Sequence, residues 1–190
     1  MVIIVDEKIK KDLKNMLSNF RYKHSLMVAD EARKLAIRYD VDEDKAYIAG
    51  LLHDIAKEFT EEENKKWIND YSLDKEWLKK ENSKIVHAEI GAIYARITYN
   101  VEDDICEAIR YHALGNIQMN TLDKIVFVAD KIARENADEF IIKLKKIAYQ
   151  SLDKAIILSF EFLKAKFLKE GNNINPVSDK VLAYLKSVTN

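Results

Sequence analysis

The sequence predicts an all-α fold, and three observations carry that expectation. Helical periodicity runs through nearly the whole chain. Only 4 Gly and 1 Pro occur in 190 residues. Average usage would put the two together at about 12% of residues, so turn-rich sandwiches, barrels and glycine-looped dinucleotide folds are disfavoured. Finally, 48% of residues are hydrophobic and the net charge is -1, which argues for a packed core over disorder.

The elements follow in order. Residues 6–17 form a short amphipathic helix. Residues 20–39 form a second, with Leu26, Val28, Ala29, Ala32, Leu35 and Ala36 on its apolar face. The stretch from Tyr39 to Asp42 ends it, and Asp42 caps a third helix reaching about Lys57. That helix is apolar nearly all round and should be central. Thr60 and Glu63 read as a capping box. The charged stretch 60–84 with Trp67 and Trp77 is expected to be a surface helical excursion anchored by its tryptophans. Helices follow over 86–99 and 102–113, then from Thr121 to about Arg134. A helical pattern rich in lysine runs from 137 to about 169. Asn175 and Pro176 give an N-cap and a first-turn proline for the last helix. Nothing marks a second domain. One domain over 1–190 is expected, with a core at about 18–135 and C-terminal helices at about 137–190.

Composition also limits function. The 31 Lys+Arg balance 32 Asp+Glu, so no broad basic field exists to hold nucleic acid. No segment has the ~18 unbroken apolar residues of a membrane helix. Residues 1–5 are apolar but lead straight into Asp6 and Glu7 without a leader's basic start. The single Cys106, set among Ile105, Ala108 and Ile109, suits a small buried role in a reducing compartment. A cytoplasmic protein without nucleic-acid or membrane partners is expected; a homodimer is left open.

The chemistry concentrates in four histidines, His24, His53, His87 and His112, one on each of four helices. Asp54 follows His53 at the end of the central apolar helix, and Asp130 ends the apolar run from Ile125. A buried carboxylate costs several kcal/mol unless it is paired or metal-bound. Imidazole and carboxylate donors together suit iron, manganese, cobalt, nickel or zinc. Six such ligands are enough for two metals with one aspartate between them. Lys57 lies four residues past His53 and three past Asp54, on the same face if the helix continues. Arg21 precedes His24 by three residues and Arg110 precedes His112 by two. Taken jointly, these cations point to a phosphate-bearing substrate.

The ordered set His24, His53-Asp54, His87, His112 and Asp130 resembles the HD superfamily of metal-dependent phosphohydrolases. The surrounding words resemble, more narrowly, the YqeK family: Arg21-Tyr22-Lys23-His24-Ser25, Ala49-Gly50-Leu51-Leu52-His53-Asp54-Ile55-Ala56-Lys57, Val86-His87-Ala88-Glu89-Ile90-Gly91-Ala92, Ala108-Ile109-Arg110-Tyr111-His112 with Gly115, and Val128-Ala129-Asp130-Lys131-Ile132. The resemblance covers about residues 10–190. It implies an HD-domain helical bundle and a symmetrical bis(5'-nucleosyl)-tetraphosphatase that splits diadenosine tetraphosphate into two ADP, with iron as the metal and manganese or another divalent ion as a substitute. It implies metal ligation by His24, His53, Asp54 and Asp130, with His87 and His112 completing a second metal site or touching phosphate. Arg21, Lys57 and Arg110 would hold phosphate. Separately, the last helix begins at Asn175-Pro176 with N–H groups that lack helical partners, so residues 174–178 (Ile174, Asn175, Pro176, Val177 and Ser178) are expected to close over the nucleotide. Asp54 would also orient the attacking water and take its proton. Two positions depart from the family wording: Asn136 stands where an arginine is usual, and Asn175 where a histidine is usual. Rival readings are another HD-type nucleotide phosphohydrolase (nucleoside triphosphohydrolase, nucleotidase or cyclic-nucleotide phosphodiesterase) and a non-catalytic nucleotide-binding module. A helical scaffold without a site would leave Asp54 and Asp130 unpaired.

Overall fold

The structure, a computed structural model, describes residues 2–73 and 83–189. Ten helices and no strand stand among them: α1 Val2–Met16, α2 Asn19–Arg38, α3 Glu43–Leu52, α4 Glu61–Asp70, α5 Ser83–Tyr99, α6 Asp103–Tyr111, α7 Thr121–Ile132, α8 Glu139–Ala148, α9 Leu152–Lys169 and α10 Pro176–Val188. The all-α expectation holds. Trp77 and most of the expected excursion's second half lie outside the described residues.

The centre is built from α2, α3, α6 and α7, which pack on one another. α3 contributes Ala46, Ile48, Ala49, Leu51 and Leu52, all buried, as its all-round apolar sequence predicts. The approach of α3 to α2 is close because Gly50 has no side chain. A Cβ there would lie 2.7 Å from Ala29 Cα. α5 packs against α6 and carries α4 on its outer side, where Trp67 stacks on Tyr71 and meets Tyr94. On the opposite side α9 packs against α7, α8 and α10. One buried apolar cluster runs from Ile9 in α1 through Phe127 and Phe160 to Leu185 in α10.

The capping signals in the sequence are realised. Asp42 Oδ1 accepts from the backbone N–H groups of Asp44 and Lys45, each at 3.0 Å. Thr60 and Glu63 form the reciprocal capping box. Asn175 Oδ1 accepts from Val177 N–H at 2.8 Å. Cys106 is buried as expected.

Three boundaries differ from the sequence reading. The stretch 137–169 is two helices, not one. α8 stops at Ala148, where its freed C-terminal carbonyls find partners at the C-terminal end of α2. Tyr39 Oη donates to Ala148 O at 2.5 Å and Arg38 Nε to Tyr149 O at 3.0 Å. Ser151 then caps α9. α3 stops at Leu52 rather than near Lys57, and the chain continues in i→i+3 turns, Ile55 N–H to Leu52 O at 3.1 Å and Lys57 N–H to Asp54 O at 2.9 Å. α7 stops at Ile132, so Arg134 lies past its end. No helix of the described residues is long and apolar enough to cross a membrane.

Candidate metal centre

The C-terminal ends of two helices supply two of the site's ligands. His53 follows the last residue of α3, and His112 follows the last residue of α6. Each donates its Nδ1–H to the carbonyl three residues back: His53 to Gly50 at 2.7 Å, His112 to Ile109 at 2.6 Å. Those carbonyls belong to the helix termini, where orphan acceptors collect. The bond fixes the tautomer of each ring and leaves Nε2 as a lone-pair donor facing inward. His24 comes from within α2, His87 from the start of α5, Asp130 from the last turn of α7. Asp54 stands in the turn after α3.

These six side chains meet. His87 Nε2 lies 3.1 Å and His112 Nε2 3.6 Å from Asp54 Oδ1, while His53 Nε2 lies 3.6 Å from Asp54 Oδ2. His24 Nε2 is 3.0 Å and His53 Nε2 3.6 Å from Asp130 Oδ1. Asp54 is shared by two buried donor groups, His24–His53–Asp54 and Asp54–His87–His112, each with ligand atoms within 4.8 Å of one another. His53 Nε2 and Asp54 Oδ1 are buried without a hydrogen-bond partner. A buried donor atom left unsatisfied costs about 1–3 kcal/mol, and a metal ion removes that cost for both. The donor set of neutral imidazoles and carboxylates therefore fits a divalent transition metal.

Protonation agrees with that fit. Burial pushes the His53 imidazole down to about 4 and that of His87 likewise to about 4. Burial alone would raise the Asp54 carboxyl, but the neighbouring His53, His112 and His87 rings overcome it and hold it below the usual range. Asp130 is likewise lowered against its burial, chiefly by Lys131 and His24. Neutral rings beside ionised carboxylates are the forms that ligate metal.

The centre floors a cavity of about 420 Å³ with Phe20, Ile85 and Ala113 at its walls. Four cations border it: Arg21, Lys57, Lys131 and Arg134. Arg21 Nη1 donates to Asp54 Oδ2 at 3.1 Å. Lys57 Nζ lies 3.5 Å from Asp54 Oδ1 and 3.0 Å from His87 Nε2. Lys57 reaches this point from a turn rather than a helix, where side chains three apart eclipse. Lys131 Nζ lies 2.6 Å from Asp130 Oδ2.

Arg110 is placed outside the metal cavity. Its Nε donates to Glu89 Oε1 at 3.0 Å and Oε2 at 2.9 Å. Residues two apart on a helix do not share a face, so His112 turns inward and Arg110 away. Residues 174–178 also stay outside the cavity. Ile174 and Ser178 are buried, with Ser178 Oγ donating to Leu114 O at 2.9 Å. Val177 lines a separate hollow of about 240 Å³ with Arg110 and Glu89, which shares Ile85 and Ala113 with the cavity. The sequence reading missed Lys131 as a site cation, although it adjoins Asp130. Arg134, past the end of α7, is a second such cation: its Nη1 lies 3.3 Å from His24 Nδ1.

Comparison with known proteins decides the family. The HD domain model matches residues 21–135. A Bacillus subtilis protein named bis(5'-nucleosyl)-tetraphosphatase, symmetrical, is 34% identical over 173 residues, covering 90% of this chain and 91% of that one. The chain belongs to the YqeK family of HD-domain proteins. A Staphylococcus aureus relative of the same name is 35% identical, covering 79% of this YqeK chain and 78% of its own length. A crystal structure from Clostridium acetobutylicum, described as an HD superfamily hydrolase involved in NAD metabolism, superposes on this YqeK chain with a TM-score of 0.87 at 34% identity, covering 95% and 96% of the two chains.

Proposed function

We propose that this YqeK protein is a metal-dependent hydrolase that splits diadenosine tetraphosphate symmetrically into two ADP. The observation that carries it is the pair of donor groups sharing Asp54 inside a cavity bordered by four cations, in a chain covering most of the symmetrical tetraphosphatases it resembles. His24, His53, Asp54 and Asp130 would hold one metal, and His87 and His112 would complete a second or touch phosphate. Iron is the metal we assign, with manganese as a working substitute; nitrogen and oxygen donors without thiolate support either. When bound, such a metal supplies a water acidic enough to attack near neutral pH.

The residues of this chain do the rest. Arg21, Lys57 and Lys131 bind the non-bridging oxygens of the central phosphates and neutralise charge as it develops. Asp54, held ionised, orients the attacking water; a carboxylate held so low is a weak base, so proton removal is left to the solvent side of the cavity. The water oxygen bonds to one of the two inner phosphorus atoms, and the central P–O–P bridge breaks. ADP departs as an anion and needs little protonation, which suits a site without an obvious strong acid. The hollow beside Val177 supports seating of one nucleoside near residues 174–178. The lone buried Cys106 supports a cytoplasmic setting.

The test is the identity of early products from diadenosine tetraphosphate with added ferrous or manganous ion. ADP as the sole product supports the reading. AMP with ATP, or adenosine with tripolyphosphate, overturns it.

A further inference from the structure

A symmetrical cut needs room for two nucleoside diphosphate halves, one on each side of the attacked bridge. Two hollows share lining residues with the metal cavity. One, lined by Val177, shares Ile85 and Ala113 with it. The other, of about 400 Å³, lies against the start of α2 and the chain after α7, and shares Phe20, His24 and Arg134 with the cavity. Its size is that of a small-ligand site.

Phe20 is the unusual residue there. It is 74% exposed, stands in the first turn of α2 at the rim common to both spaces, and carries the Arg21 guanidinium 5.8 Å from its ring centroid. An open aromatic face flanked by cations is the arrangement that stacks nucleobases beside a phosphate track. The lining also holds Lys23, Asn136, Glu135 and the thioether of Met27. Phosphates are favoured near Arg134, which the hollow shares with the metal cavity, and disfavoured beside the Glu135 carboxylate. A ribose hydroxyl or an exocyclic amine, by contrast, can donate to Glu135 and Asn136.

We propose that this hollow holds the second nucleoside of the substrate, its base stacked on Phe20 and its diphosphate running back past Arg134 to the metal centre. The proposal rests on the tetraphosphatase reading. It gives two chemically identical halves two different seats, and it assigns a role to a phenyl ring that no packing demand explains.

The experiment compares Phe20→Ala with the wild type on diadenosine tetraphosphate and on adenosine 5'-tetraphosphate, which lacks the second nucleoside. Loss of a stacked base should lower kcat/KM for the dinucleotide by about 10–100-fold, chiefly through KM, and lower the mononucleotide's value far less. Calorimetric binding of a methylene-bridged, non-hydrolysable dinucleotide should weaken by the same factor, and Phe20→Trp should restore both. Equal losses on both substrates, or none on either, overturn the proposal, as does a wild type that takes both substrates with the same KM. A wild type that takes only the dinucleotide supports it, and the variant is then judged by the calorimetric factor. A wild type that makes no ADP from the dinucleotide overturns the functional reading itself, before any variant is compared.

Discussion

His53 and His112 each spend one ring nitrogen on a helix-end carbonyl and keep the other for the site. The bonds to Gly50 and Ile109, at 2.7 and 2.6 Å, satisfy acceptors that the helices leave open and set the ring orientation without any side-chain partner. Asp54 then joins the two donor groups. Asp54→Ala is expected to lose metal from both and to cost more activity than the roughly 10–100-fold of an outer-shell change. Helical circular dichroism should persist, because the ring anchors are backbone bonds; full metal retention in a folded variant would count against the assignment. A second buried carboxylate behaves differently. Asp123, in the first turn of α7, is almost fully buried, and Oδ1 has no hydrogen-bond partner. Burial pushes its carboxyl up from 3.8 to about 7, partly offset by its capping bond to the Asn120 backbone. Between those values the folded protein holds a proton that the unfolded chain has released, so stability falls as pH rises from about 4 to about 7. Asp123→Asn keeps an acceptor for Asn120 N–H and removes the ionisation. It should melt close to wild type at pH 4, and the gap should open as pH rises until the variant melts at least about 3 °C higher at pH 8. A pH-independent difference between the two would refute this origin.

Two glycines with the same helical setting show how elements place the site. Gly50 lies where α3 touches α2, and a Cβ would stand 2.7 Å from Ala29 Cα and 3.1 Å from Val28 O, both backbone atoms. Gly91 in α5 would meet the Ile55 and Ile109 methyls at 3.5 and 3.6 Å and the His53 carbonyl oxygen at 3.9 Å, all ordinary contacts. Gly50→Ala should therefore cost about 1–3 kcal/mol by overpacking, and should loosen metal binding because the Gly50 carbonyl carries His53. Gly91→Ala should be neutral or stabilise by up to about 1 kcal/mol; thermal melts with metal titrations distinguish the pair. The same level explains what the sequence reveals. Periodicity and caps locate the helices because those signals are local. The ligands are legible because a histidine or aspartate in an apolar run has few structural uses. The cavity's cations are less legible, because they depend on where helices end. Arg110 shares α6 with the residues leading to His112 and so faces away, whereas Lys57 and Arg134 sit past helix ends, where helical-face arithmetic fails. The break at Tyr149–Ser151 is hidden for a related reason, since its carbonyls are satisfied by Arg38 and Tyr39, over a hundred residues away.

At the scale of the molecule, the site draws ligands from α2, the turn after α3, α5, the residue after α6, and α7. All four central helices therefore send a side chain to one point. Without a metal that convergence costs stability, because four imidazoles and two carboxylates are desolvated together and some of their atoms go unpaired. Metal binding should then act as a clasp on the whole fold rather than as a local event. A ligand present at 100 times its dissociation constant adds about 2.7 kcal/mol, which for a chain of this length is roughly 5–10 °C in Tm. The extension α8–α10 shares in that gain if it unfolds with the core, and two features argue that it does. The apolar cluster is continuous from Ile9 to Leu185, and Lys145 and Tyr149 both bond the buried Glu31 of α2, at 2.7 and 3.0 Å. Chelated protein should accordingly melt in one transition. Ferrous or manganous ion should move that whole transition upward by the stated amount, and the shift should vanish in Asp54→Ala. Calorimetry that resolved two transitions, with only the first sensitive to metal, would instead make the C-terminal helices a separate unit and confine the clasp to the core.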